Sequence, residues 1–551
     1  MASSLSPPSL PEATAVVLLR RYSTDPQLEE AAEKLTNCAR TFKQYLAAIT
    51  VNMLGFVFGT TLGWPAIAQP QLQSNETDVN PLLMDGEAYI ISNNDMSWLS
   101  AVLCAACVVG TFVFGWLADR LGRKKAGLVG AVPYVVSWLC ILFADHIAWL
   151  YVGRVLAGLA GGSSLVVCPL YVGETSEDSL RGLLGSLFSI MLTAGILFTF
   201  VVGAFSSFRV LAIVCLTLPC AFFVAFLWLP DTPVYLLSRG EVPLAVRSLT
   251  WLRGGRADLV DDELAKLVAN MKDGHDEGSG GASSTPSAMD NLRQLVATKA
   301  SRRALFIVMT LFTAQQFNGI NAILSYTVEI FAESGSSLEP VVATIIVGFL
   351  QLVGVCIASV AVDRAGRRVL LVVSYVSMCV CLAILGGCFY MKKALGQDIT
   401  SIGWLPVVCL SLYSVTYAVG AGPVPFILVS ELFSSSVRSL ATSMSISLCS
   451  ILAFIVMKFY PDVCAGIGVH GSMWLFSGFS CAGALFAWFV VVETKGKPLA
   501  VIQHELEGRK PAPRTGPFAG SARTFNPAPG DIYYQPATEA RDREEMSEAS
   551  V

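Results

Sequence analysis

Charge is scarce in this chain. Of its 551 residues only 14% are charged while 54% are hydrophobic, with a mean hydropathy of +0.60, and such a balance excludes a soluble enzyme because the apolar excess must face lipid. Basic charge is missing altogether between Lys43 and Arg120. No glycine-rich loop ending in Lys-Ser/Thr appears, so ATP is not expected to drive anything here. The N-terminus lacks the basic start and apolar core of a cleaved signal peptide, which leaves the first apolar segment as the insertion signal. The 15 cysteines lie mostly inside apolar segments. Even Cys104-Ala-Ala-Cys107 has no polar company, so it reads as two small packing residues rather than a metal or redox site.

What is present in abundance is long apolar runs, and a run of roughly 20 residues crosses the roughly 30 Å of hydrocarbon in a bilayer. Twelve such spans are expected near 44–66, 97–118, 126–144, 147–171, 183–204, 208–229, 304–331, 341–361, 369–391, 402–430, 437–459 and 471–492. The chain thus divides into a tail (1–43), a six-helix half (44–229), a connector with short helices (230–303), a second six-helix half (304–492) and a largely disordered tail (493–551). The connector carries helix-compatible segments Glu241 to Arg253 and Asp258 to Lys272, then a GSGGASSTPS link. The first loop holds Glu76, Asp78, Asp85, Glu87 and Asp95, whereas the second holds Arg120, Arg123, Lys124 and Lys125. Positive charge stays inside, so the first loop is expected outside and both termini in the cytosol. Asn75-Glu76-Thr77 is then a glycosylation acceptor in an external loop.

Three signatures repeat in order. Asp119-Arg120-x-Gly122-Arg123 matches Asp363-Arg364-x-Gly366-Arg367, Glu174 and Arg181 match Glu431 and Arg438, and Asp231-Thr232 matches Glu493-Thr494. A parallel duplication of a six-helix unit, with a path between the halves, explains them.

These residues resemble the sugar porter family of the major facilitator superfamily: GWLADRLGRKK (115–125), GRVLAG (153–158), LYVGETSEDSLRG (170–182), PDTPVYLL (230–237), QQFNGIN (315–321), VDRAGRR (362–368), GAGPVPF (420–426), ELFSSSVR (431–438) and VVETKG (491–496). TTLGWPAIAQPQL (60–72), SWLSAVL (97–103) and PDTPVYLLSRG (230–240) are further similar to the arthropod facilitated trehalose transporters. The resemblance implies an all-α fold of twelve spans in two halves. It also implies passage of a small neutral sugar through the plasma membrane, without cofactor, metal or nucleic acid and with one chain sufficient. The sequence departs from the family in Ser189 for Gln, Ala421 for Pro, Phe426 for Trp and Val492 for Pro.

A sugar offers hydroxyls and no charge, so its site needs amides and hydroxyls that replace water yet release the ligand. Span seven supplies Gln315, Gln316 and Asn321 in an otherwise apolar run, where unsatisfied amides are costly; on one continuous helix Asn321 lies about 500° on from Gln316. The resemblance implies that these three, with Tyr326, Gln351 and Phe426, face the cavity. Interhelical bonding of the same amides is the alternative. Gly420, Gly422, Pro423 and Pro425 are expected to break span ten where backbone meets a cavity. Asp119, Arg123, Glu174, Arg181, Asp363, Arg367, Glu431 and Arg438 are expected to pair between the halves when the inner side is closed. Proton-linked family members typically carry an Asp in span one where this chain has Thr61, so uncoupled uniport is the expected mode. A proton symporter using another acid and a transporter-like sugar sensor remain the alternatives. Arg154, a charge inside span four, is a functional candidate by default, with structural pairing as the equal alternative.

Overall fold

A computed structural model describes residues 26–507 apart from 77–78, 85–86, 256, 277–292, 294, 335–337 and 397–401. Helix dominates because a chain inside lipid must satisfy its backbone hydrogen bonds within each segment. The first half comprises α1 (Pro26–Leu72), α2 (Asn93–Leu121), α3 (Arg123–Leu142), α4 (Ile147–Thr175), α5 (Asp178–Phe205) and α6 (Phe208–Leu227). A minimal antiparallel ribbon of β1 (Leu83–Met84) and β2 (Glu87–Ala88) lies in the loop after α1. The helix α1 begins at Pro26, so the expected tail 1–43 is helical over its last part. The link at 278–287 and everything beyond 507 lie outside the described residues.

The connector folds as α7 (Pro233–Ser238), α8 (Val242–Leu252) and α9 (Ala257–Asp276). Arg253, almost wholly buried, ties it to the first half: it bonds both carboxylate oxygens of Glu263 at 2.7 and 2.5 Å, Glu177 at 3.3 Å and the Thr175 carbonyl at 3.2 Å. Gln44 of α1 reaches the same Glu177 at 2.8 Å.

The second half is less regular. Its first crossing is three pieces, α10 (Lys299–Phe317), α11 (Ile320–Ser325) and α12 (Thr327–Ser334), followed by α13 (Pro340–Ala365) and α14 (Arg367–Lys393). The next crossing is α15 (Leu405–Thr416), a π turn at Tyr417–Ala421 and α16 (Val424–Leu432). Then α17 runs Ser435–Phe489 with non-helical angles at Gly468, and α18 (Leu499–Glu507) lies within the expected C-terminal tail. At 1.5 Å per residue α17 is roughly 80 Å of helix, far more than one crossing. Gly468, at φ 76°, turns the chain back and makes two crossings of it. Among the described residues ten helices are long and apolar enough to span; splitting α17 and adding the broken α10–α12 crossing gives twelve.

Each half buries its own core, around Trp138, Tyr171 and Phe226 in the first and Phe312, Tyr375 and Tyr413 in the second. Large apolar side chains such as Phe205 and Trp228 stand 85% and 84% exposed, the lipid-facing arrangement. The halves meet at the end of the bundle carrying Asn75. There Trp98 packs on Phe454, Cys104 meets Met457 at 3.7 Å, Gln69 donates to Glu329 at 2.7 Å and Gly348 abuts Phe200. Lys458 of α17 joins them, donating to Asn94 Oδ1 at 2.9 Å and Ser97 Oγ at 3.0 Å of α2 with its ammonium over the Trp98 ring.

Candidate functional site

The chemistry begins at a break. Gly319 adopts φ 87°, a left-handed conformation that favours glycine, and α10 ends there. Asn318 accepts Ile320 N on its side-chain oxygen at 2.9 Å, starting α11, while Tyr413 OH donates to the Asn318 carbonyl at 3.1 Å. The break resets the helical phase. On one continuous helix Asn321 would point well away from Gln316; instead its Nδ2 donates to Gln316 Oε1 at 2.6 Å. Gln316 in turn donates from Nε2 to Cys449 Sγ of α17 at 2.8 Å. Gln315 donates to the Ala421 and Gly422 carbonyls, each at 2.9 Å, and to Tyr417 OH at 3.3 Å. An uncharged chain of amides thus links α10, α11, the π turn and α17.

Tyr326 and Gln351 are buried, and the Tyr326 hydroxyl and Gln351 Oε1 find no hydrogen-bond partner among the described residues. Tyr326 packs against Tyr460 with the rings tilted by 37° and 5.1 Å between centroids. Phe426 is 42% exposed and edge-on to Phe312 at 4.8 Å, so it stands apart from the amide chain. Gly420, Gly422, Pro423 and Pro425 do lie at a break: the helix slips to π spacing over Tyr417–Ala421, with Gly422 N bonded to Tyr417 O at 2.8 Å.

The charged residues form two matching clusters at the opposite end from Asn75. In the first half Arg123 pairs with Glu174 at 2.8 Å and Asp119 at 3.5 Å, and Glu174 also accepts from Thr232 Oγ1 at 2.5 Å. In the second, Arg367 pairs with Glu431 at 2.9 Å and Glu431 accepts from Thr494 Oγ1 at 2.5 Å. Asp231 accepts Lys124 N at 3.1 Å; Glu493 accepts Arg367 N at 3.0 Å and Arg368 N at 3.2 Å. Both carboxylates therefore sit at helix N-termini, where the exposed N–H groups and helix dipole favour negative charge. Gly122 and Gly366, at φ 94° and 93°, make the turns, and a Cβ there would strike Asp231 or Glu493 at 2.4 and 2.7 Å. Burial pushes the Asp231 carboxyl above the usual carboxylate range, opposed by the Lys124 and Thr232 amides and the nearby charges of Arg123 and Lys124.

In this structure these ion pairs join neighbours within one half, and they are made while the halves touch at the other end, so the expected pairing between the halves belongs to the inner-closed state. The spacing of Arg123, Glu174, Arg367 and Glu431 around short turns puts each pair within reach inside its own half. Arg438 hydrogen-bonds the Phe433 carbonyl at 3.3 Å, Arg181 lies exposed at the start of α5, and Asp363 lies in the last turn of α13. Asn75 is exposed; Thr77 of its acceptor motif lies outside the described residues.

Arg154 is buried, and among the described residues no carboxylate pairs with it. It donates to the Thr61 carbonyl at 2.6 Å and the Leu99 carbonyl at 2.8 Å, with Trp64 beneath its guanidinium at 5.2 Å. Sequence reasoning missed Ser374, Tyr417, Lys458 and the Gln69–Glu329 contact. A lysine inside an apolar run was the one signal available for Lys458.

A profile of the family described as "Sugar (and other) transporter" matches residues 46–506. The "Facilitated trehalose transporter Tret1" of Culex quinquefasciatus is 34% identical over 498 residues, covering 90% of this chain and 92% of that protein. Proteins of the same name from Aedes aegypti and Drosophila grimshawi are 34% and 35% identical over 90% of this chain, which spans only 59% and 51% of their length. Among solved structures, the partially occluded inward open xylose transporter XylE from E. coli superposes with a TM-score of 0.67 at 21% identity, covering 83% of this chain and 99% of that one. The proton:xylose symporter XylE bound to 6-bromo-6-deoxy-D-glucose gives 0.65 at 22%, covering 86% and 100%. At these identities the two share its fold.

Proposed function

We propose, from the premise that this chain belongs to the family of sugar (and other) transporters, that it carries a neutral sugar down its gradient by alternating access. The observation that carries this reading is the uncharged chain Asn321–Gln316–Cys449 with Gln315 beside it. Such groups bond hydroxyls without holding an ion, and the partnerless Tyr326 hydroxyl and Gln351 oxygen add capacity. The relatives' name points to trehalose, and hexoses share its hydroxyl chemistry. Cys449 and Ser450 leave more space than large aromatic side chains, which supports a disaccharide carried better than glucose.

Uniport is favoured over symport by the surroundings of Arg154. Its guanidinium is held by the Thr61 and Leu99 backbone carbonyls, where a titratable acid would be needed to exchange a proton. We take the Asn75 end as extracellular, both termini as cytosolic and the membrane as the plasma membrane, following the basic residues around Arg123 and Arg367. With contacts between the halves gathered at the Asn75 end, the conformation is inward-facing, and the buried Lys458 strap belongs to the outer closure.

The test is flux of radiolabelled trehalose and glucose into proteoliposomes. Net flux should follow the sugar gradient and ignore a protonophore, with trehalose the faster. Accumulation above the external concentration that collapses with a protonophore would overturn uniport, and glucose flux without trehalose flux would overturn the size argument.

A further inference from the structure

The break in the crossing formed by α15 and α16 is held by side chains from two other helices. In a regular helix each carbonyl accepts from the N–H four residues on. Pro425 has no N–H, so the Ala421 carbonyl loses that partner. Beside it the ladder has slipped to π spacing, and the Ser374 hydroxyl of α14 is inserted into the gap. Ser374 accepts from Ala421 N at 3.0 Å and donates to the Thr416 carbonyl at 2.6 Å. Inserted side chains of this kind are a recognised cause of helix bending. From the other side comes Gln315, whose Nε2 reaches the Ala421 and Gly422 carbonyls at 2.9 Å each.

A carboxamide nitrogen has two hydrogens, and here both point at the break. Gln315 nevertheless adjoins Gln316, whose oxygen and nitrogen are engaged with Asn321 and Cys449. One amide therefore stands between the hydroxyl-binding chain and the bend. We propose that Gln315 couples sugar occupancy to bending of the α15–α16 crossing, an inference that rests on the sugar-transport reading. Without sugar its amide pins the break by satisfying two carbonyls. A sugar hydroxyl that accepts from Gln315 draws an N–H away from Ala421 or Gly422, and can donate its own hydrogen to the carbonyl released. No buried polar group is left unpaired by that exchange, so the bend is freed at little cost, as a carrier that must also release its cargo requires.

The experiment places spin labels at Leu183 and Ser430, on opposite halves at the arginine-rich end, in a background stripped of reactive thiols, and measures their distance distribution with and without trehalose or glucose. Gln315→Leu keeps volume but removes the amide; Ser374→Ala loosens the same break from a helix outside the amide chain. Both variants should shift the sugar-free ratio of open to closed states in the same direction, by at least roughly two- to twelvefold, the range for a single lost hydrogen bond, since each removes two at the break. Wild type and Ser374→Ala should respond to sugar, whereas Gln315→Leu should still bind it through Gln316 and Asn321 but respond several-fold less. If Gln315→Leu leaves the sugar-free distribution unchanged and only weakens binding, Gln315 is a plain ligand and the proposal is overturned. Should wild type bind neither sugar, the transport reading fails, while the sugar-free comparison still decides whether Gln315 pins the break.

Discussion

The two halves of this molecule agree almost bond for bond at their arginine-rich ends and part company in the middle of the membrane. Arg123, Glu174, Thr232 and Asp231 repeat as Arg367, Glu431, Thr494 and Glu493. Yet α1 and α4 each cross as one continuous helix, even with Pro65 and Pro169 inside them, whereas their counterparts are broken at Gly319 and at Tyr417–Ala421. Glycine shows the contrast best. In the first half Gly59 lets two backbones touch, since a Cβ there would lie 2.0 Å from the Leu192 carbonyl of α5; in the second Gly319 turns the chain. The same six-helix plan thus yields continuous helices packed backbone to backbone in one copy and broken helices lined with amides in the other.

The largest effect should come from filling that backbone contact. Gly59→Val should abolish recovery of folded, monodisperse protein, a cost beyond ~3 kcal/mol because the backbone of α5 has nowhere to go. Gly115→Val, where an added Cβ meets nothing within 4 Å, should purify normally; equal yields would dissolve the idea of a backbone-packed first half.

Straightening the break comes next. Pro423→Ala combined with Pro425→Ala returns donors to the Val419 and Ala421 carbonyls and should stabilise the helix by up to about 3 kcal/mol per proline. Uptake should fall sharply at unchanged surface expression, while Pro169→Ala in α4 should transport nearly normally. Similar losses from both would mean that the two crossings work alike.

Removing ligands should cost less. Gln316→Ala and Asn321→Ala should each weaken sugar binding by about 0.5–1.5 kcal/mol without loss of expression, read as a rise in the half-saturating concentration. Normal binding by both variants would remove the amide chain from the site.

The smallest effect tests the joint between the halves. Lys458→Met removes the bonds to Asn94 and Ser97 and should favour opening of the Asn75 end by about 1 kcal/mol. Labelling of Cys449 by an impermeant reagent applied from that side, with other thiols removed, should rise; unchanged labelling would make Lys458 a local anchor.

Much of this was legible in the sequence because lipid imposes so strong a rule. Apolar run length counted the crossings, and the repeated signatures located the helix ends they cap, since Asp-Arg-x-Gly-Arg needs a turn and a carboxylate nearby wherever it occurs. The amides of QQFNGIN announced themselves by being polar where polarity is costly. What they touch was another matter. A helical wheel assumes one unbroken helix, so it set Asn321 away from Gln316 until Gly319 reset the phase. Pairing partners were only half legible for a similar reason: charge and spacing name Arg367 and Glu431 as neighbours at one end, but not that in this conformation the neighbour belongs to the same half. Ser374 is an ordinary serine in an apolar run, and its insertion into the break exists only because α14 packs there. Composition, periodicity and local motifs act through forces a segment feels alone, and these set the membrane, the crossings and the caps; contacts between segments far apart in the chain depend on how helices dock, and these decided the break, the joint and the direction of each amide.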